Sequence, residues 1–145
     1  MKSNLQKAFT LVEVLIVVVI MAVLAATIIP QFADSSKDAK ESALLFNLHT
    51  LRSQIEMYQT QHDGLVPSAD LSELTTNTDK DGTKDTGSYG PYISEVPENP
   101  FTGSATVTTI TNDPAKDTDV TGSGGWLYNA TSGRIWIDHD DYYTD

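Results

Sequence analysis

The sequence predicts an α+β fold in which a long N-terminal α-helix packs against a small C-terminal antiparallel β-sheet. Three observations predict it. Phe9 to Ile29 is an apolar run of about 21 residues with one charged member, Glu13. Leu44, Leu48, Leu51, Ile55 and Tyr58 then recur at steps of three and four, the period of one helix face. Near the other end, Trp126-Leu127-Tyr128 and Arg134-Ile135-Trp136-Ile137 flank Asn129-Ala130-Thr131-Ser132-Gly133, the pattern of a hairpin closed by a glycine-containing loop.

Residues 1–8, MKSNLQKA, form a short polar leader with Lys2 and Lys7. The apolar run after it, residues 9–29, spans about 30 Å as a helix, the thickness of a bilayer's hydrocarbon core. It is longer than the apolar core of a secretory signal. The basic leader is expected to stay cytoplasmic and the rest to cross, giving a single-pass anchor with an exported C-terminal domain. A carboxylate in that run is expensive, so Glu13 needs a partner or a purpose. Residues 30–62 are predicted as an amphipathic continuation. Ala43 joins its stripe, while Lys37, Lys40, Glu41, Arg52 and Glu56 fall largely off it. Arg52 and Glu56 are four apart and can pair on the surface. The stripe reads either as core against the sheet or as a seam between copies. The sheet needs a cover, which favours the first. His62-Asp63-Gly64, with Pro67 beyond, ends the helix.

Residues 63–145 are expected to form one globular domain. The stretch 64–125 is rich in Gly, Pro, Thr, Asp and Ser and reads as turns and loops. A short helix over 68–75 is predicted, capped by Ser68 and Asp70. Trp126, Tyr128, Ile135 and Ile137 are expected to form the sheet face laid on the helix stripe. Trp126 and Trp136 read as core in preference to sugar-stacking platforms.

Composition limits the chemistry. The chain has 145 residues, 9 Lys plus Arg against 20 Asp plus Glu, a formal charge of -11 and no cysteine. Disulfides, thiolate metal sites and thiol nucleophiles are therefore excluded. The acidity argues against nucleic acid as a partner and is compatible with binding a divalent cation. His49, His62 and His139 show no metalloprotease spacing, and no nucleophile elbow, P-loop or dinucleotide fingerprint occurs. No catalytic residue is assigned, and an enzyme is not expected. One segment fits the start of a calcium loop. Asn77, Asp79, Asp81 and Asp85 fall at its first, third, fifth and ninth positions, with Thr83 among them and Gly82 at the sixth. Its twelfth position is Ser88, where an EF-hand has glutamate. The other reading is a solvated acidic turn.

Lys7-Ala8-Phe9-Thr10-Leu11-Val12-Glu13, followed by the apolar run and Pro30, resembles the class III leader and N-terminal helix of type IV pilins and type II secretion pseudopilins. Tyr89-Gly90-Pro91-Tyr92-Ile93, Val96-Pro97 and Asn99-Pro100-Phe101 are similar to segments of the major pseudopilins within that family. So is the turn at His62-Asp63-Gly64 and Pro67. Rigid proline turns flanked by aromatics suit a loop packed closely on the helix.

The resemblance implies a pilin-like fold, a leader peptide over 1–8, a filament-core helix over 9–29 and a periplasmic domain. It implies cleavage between Ala8 and Phe9 by a prepilin peptidase that also N-methylates Phe9, and assembly roles for Phe9, Glu13 and Pro30. Glu13 would pair with the new α-amino group of Phe9, in its own chain or its neighbour, and so set the axial register. The implied partners are further copies in a helical homopolymer, the inner-membrane assembly platform with its cytoplasmic ATPase, and minor pseudopilins. The implied place is the inner membrane, with the filament in the periplasm or at the cell surface. The implied function is a structural subunit whose filament drives protein export. A type IV pilus subunit for adhesion or motility and a non-polymerising, membrane-tethered calcium-binding module are the other readings.

Two positions depart from the pattern: Ala8 and Ala22 stand where the family often has glycine. Alanine favours helix over glycine by about 1 kcal/mol, so melting of the helix before Pro30 is less assured. The resemblance also places calcium nearer the C-terminus, where Asp113, Asp117 and Asp119 and Asp138, Asp140 and Asp141 are available.

Overall fold

The computed structural model describes residues 9–85 and 87–144. Helix α1 runs Leu11–Gln61, and strands β1 (Val107–Thr109), β2 (Trp126–Asn129) and β3 (Arg134–Ile137) follow. The chain divides into two compact units, residues 1–39 and 40–145.

In the first unit the apolar residues of α1 are bare. Its most apolar 18-residue window has a mean hydropathy of 3.0 and is 0% buried, long and apolar enough to cross a membrane. The helix passes through Pro30 without a break. Proline has no N–H, so the carbonyl one turn earlier, at Ala26, loses its helical donor. The Thr27 hydroxyl donates backwards to the carbonyls of Leu24 at 3.0 Å and Val23 at 3.4 Å, the side-chain habit that bends helices.

In the second unit the predicted stripe is core. Leu44, Leu48, Leu51, Ile55 and Tyr58 are buried and pack with Trp126, Tyr128, Ile135 and Ile137, as expected, and also with Leu71, Leu74 and Tyr142. Ala43 is exposed and does not join them. The sheet's other face is covered too: Leu127 and Trp136 pack with Ile110 and Ala115. The Trp126 indole donates to the Pro97 carbonyl at 2.8 Å and the Tyr128 hydroxyl to the Pro67 carbonyl at 2.9 Å, so neither aromatic buries an unpaired polar group. The half-buried Arg52 reaches β3, donating to the Ile135 carbonyl at 3.0 and 3.3 Å.

The sheet is mixed. β2 and β3 pair antiparallel, Trp126 opposite Ile137 and Asn129 opposite Arg134, around the predicted turn. β1, inside the stretch read as loops, adds to β2 in parallel, Val107 opposite Trp126. Three residues are too few for a visible alternation of apolar and polar side chains, so its pairing depends on tertiary context.

α1 stops where expected. Asp63 takes a left-handed conformation at φ 55°, and the Gly64 amide donates to the Gln59 carbonyl at 2.8 Å, closing the helix end. The predicted helix over 68–75 is a single 3-10 turn, Ser72–Leu74, preceded by Leu71 at φ 57°. Asp70 supports it, accepting from the Ser68 hydroxyl at 2.7 Å, the Ser72 hydroxyl at 2.8 Å and the Ser72 amide at 3.2 Å. These donors hold its carboxyl down at about 2, against an ordinary 3.8. A depressed carboxyl stabilises the fold above its ordinary pKa and loses that effect as pH falls through the folded value. Asp70→Asn is therefore expected to lower Tm above about pH 4, with the difference from the parent vanishing as pH falls towards 2. Melting curves at a series of pH values check this.

The proline loop packs closely, as its turns suggested. The Tyr92 and Ile93 amides donate to the Leu74 carbonyl at 2.8 and 3.0 Å, and the Tyr92 hydroxyl to Gln61 Oε1 at 2.6 Å. His62 is fully buried beneath it, stacked on Tyr58 at 3.8 Å. Its Nδ1 faces the Tyr58 carbonyl at 2.7 Å and so donates, which leaves Nε2, 2.8 Å from Thr78 Oγ1, as the acceptor in the neutral ring.

Candidate assembly site at the helix start

Thr10 and Glu13 form a reciprocal cap on α1. The Thr10 amide and hydroxyl both donate to Glu13 Oε2 at 2.8 Å, and the Glu13 amide donates back to Thr10 Oγ1 at 3.2 Å. This is a capping box, which satisfies amides that a helix start otherwise leaves without partners. It also gives the carboxylate two donors inside an apolar segment, where an unsolvated charge is costly. Among the described residues Oε1 takes no partner. Phe9 is 86% exposed beside it. With residues 1–8 attached the Phe9 nitrogen is an amide, so the expected ion pair with Glu13 would need those residues to be removed. Ala8 and the leader lie outside the described residues. The Thr10 partnership was legible as Thr-x-x-Glu before an apolar run, a signal the family pattern overshadowed.

Pro30 sits inside α1, and its surroundings in the first unit are exposed along the whole apolar run. What the stretch 9–32 presents is therefore an uncovered apolar cylinder with one capped, half-satisfied carboxylate near its start. Chemically it can insert in lipid or pack against like helices.

The proposed calcium segment folds as a tight hairpin. Thr78 pairs with Lys84 and Tyr89, the Asp79 amide donates to the Thr83 carbonyl at 2.9 Å, and the Asp85 amide donates to the Asn77 carbonyl at 2.8 Å. An EF-hand gives the carbonyl at its seventh position to the ion; here that carbonyl, on Thr83, is taken by Asp79. Asp81 accepts the Thr83 amide at 3.0 Å, which lowers its carboxyl below the ordinary range. Gly82, at φ 85°, lies against the Tyr58 hydroxyl, which a Cβ would approach to 2.8 Å.

The C-terminal acids are likewise dispersed. Asp113 pairs with Arg134 at 2.5 Å, and Asp119 accepts from Asn112 Nδ2 at 2.9 Å. Asp138 is fully buried and accepts the amides of Thr121, Gly122 and Gly124. Among the described residues, no group of three or more His, Cys, Asp or Glu side chains is gathered so as to hold a metal ion.

A family profile described as the prokaryotic N-terminal methylation motif matches residues 3–29. The type II secretion system core protein G of Escherichia coli K12 is 26% identical over 109 residues, covering 68% of this chain and 69% of that protein. Its counterpart in Vibrio cholerae is 29% identical over 104 residues, 69% of this chain and 68% of that protein. The type IV major pilin of Neisseria gonorrhoeae is 30% identical over 94 residues, 65% of this chain and 52% of that protein. No solved structure matches the chain at a significant level. A capped apolar helix under a methylation motif, continued into an α+β domain, is thus found in a chain that is similar over about 70% of its length to type II secretion core protein G.

Proposed function

We propose that this chain is a structural subunit of a helical filament, the major pseudopilin of a type II secretion system, and not an enzyme. Residues 1–8 are the leader, 9–29 the membrane and filament-core helix, 30–62 its amphipathic continuation, and 63–145 a periplasmic domain. The observation that carries this reading is the Thr10–Glu13 box at the start of an uncovered apolar helix, beneath the methylation motif. A prepilin peptidase cuts after Ala8 and methylates the Phe9 amine. The amine then lies one turn from a carboxylate with an unused oxygen, in its own chain or in a neighbour's. Only one stagger of two neighbouring helices brings that amine and carboxylate together, so the pair sets register more than it adds stability. Mass spectrometry of the protein from its native membrane is expected to give an N-terminus at N-methylated Phe9. Material that still starts at Met1 would sink the reading.

A surface type IV pilus subunit is the second reading, favoured by the similarity to the gonococcal major pilin. Electron microscopy of sheared cells separates the two. Long surface fibres at native expression support the pilus, and fibres seen only on overexpression support the pseudopilus.

A further inference from the structure

Both arginines of the chain, Arg52 and Arg134, far apart in sequence, line one cleft of about 380 Å³ beside the β2–β3 turn. Each is held in place. Arg52 is anchored on the Ile135 carbonyl. Arg134 lies over the Trp136 ring, 5.2 Å from its centroid, with Nη1 on Asp113 at 2.5 Å. The turn behind them sits close on α1: a Cβ on Gly133 would stand 2.2 Å from Gln59 Nε2. Arg134 is 59% exposed, and its Nε and Nη2 have no partner among the described residues. Among the described residues Glu56 is the one carboxylate that lines the cleft, and Asp113 pairs with Arg134, so the two cations are locally balanced on a chain of charge -11. Copies of so acidic a chain repel unless such recesses take up carboxylates.

A complementary feature lies elsewhere on the domain. Glu95 and Glu98 are exposed on the proline loop, and neither carboxylate has a partner among the described residues. The loop itself is fixed by Trp126 Nε1 on the Pro97 carbonyl at 2.8 Å and Asn47 Nδ2 on the Glu98 carbonyl at 3.1 Å. Asp63, Asp70 and Asp119, by contrast, are already engaged within the chain.

We propose that the Arg52–Arg134 cleft accepts the Glu95–Glu98 loop of the next copy. This rests on the filament reading above and names the contact between its outer domains. Donor and acceptor patches differ, so the contact is head-to-tail and propagates along a fibre instead of closing a pair. Rim ion pairs add little affinity singly, but they select partner and register, and two pre-ordered surfaces lose little freedom on meeting.

The chain has no cysteine, so disulfide trapping reads the contact cleanly. Ser94→Cys with Ser132→Cys in the full-length chain, oxidised in its native membrane, is expected to give a ladder of dimers, trimers and higher species. Arg134→Glu is expected to cut the ladder about tenfold. Glu95→Arg with Glu98→Arg, which removes no contact within the chain, is expected to do the same, and combining the two changes to restore it. A reference pair in α1, Ile16→Cys with Ile20→Cys, reports polymerisation alone. A ladder through α1 with none through 94 and 132 overturns the docking and leaves the filament standing. No ladder at either place overturns both, and an adduct of 94 or 132 to a different protein overturns the docking.

Discussion

Glu13→Ala is expected to leave the chain inserted and cleaved, yet to lower its entry into filaments beside wild-type copies by about tenfold or more. Two separable effects meet at this carboxylate. One is the cap, whose acceptor oxygen holds the Thr10 amide and hydroxyl. Losing a cap costs about 1 kcal/mol, which frays one turn and is small beside a helix of 51 residues. The other is the charge that would meet the amine of Phe9. Glu13→Gln divides them, since glutamine can complete a capping box but carries no charge. Coassembly measured by crosslinking or pull-down should find glutamine nearly as defective as alanine. If glutamine assembles like the parent, the cap is all that Glu13 supplies and the register argument fails.

What the sequence made legible follows from how local each signal is. The apolar run, the stripe from Leu44 to Tyr58 and the hairpin around Gly133 are periodic or short-range, and each is found where expected. β1 was invisible because Val107–Thr109 is held by β2, which lies across a long crossover, and not by any pattern of its own. The second layer of core behind Leu127 and Trp136 was hidden for the same reason: Ile110 and Ala115 are isolated apolar residues in polar loops. The acidic runs misled in a different way. Alternating oxygen side chains at 77–85 satisfy a ligand pattern, but backbone hydrogen bonds close the segment into a hairpin and use the carbonyl an ion would need. At the helix start, the amine expected to pair with Glu13 is absent from the uncleaved chain, whereas Thr10, one turn away, already donates to it.

Asp138→Ala is expected to be the most damaging single change in the globular domain, costing about 3–5 kcal/mol. The carboxyl is 0% exposed and gathers the turn before β2 around itself. It accepts the Thr121 amide at 2.6 Å, the Gly122 and Gly124 amides at 3.0 Å, and the Thr121 hydroxyl. Hydrogen bonds to a charged group contribute about 1.5–3 kcal/mol each, though not additively, and removing the acceptor strands buried donors. A loss of that size is a large part of the roughly 5–15 kcal/mol that holds a domain, and should lower Tm by about 15 °C or more. Asp138→Asn should be nearly as harmful, because one face of an amide presents donors to donors. Gly124→Ala tests the same contact from the other side, since its Cβ would meet Asp138 Oδ2, and it should fall between parent and Asp138→Ala. The same donors occupy the lone pairs a cation would take, so calcium added to the parent chain should not raise its Tm through Asp138. A melting temperature within 2 °C of the parent, a margin of roughly half a kcal/mol, would mean that the turn is held by the Thr102 hydroxyl on the Gly124 carbonyl and its neighbours, and that the buried carboxylate is dispensable.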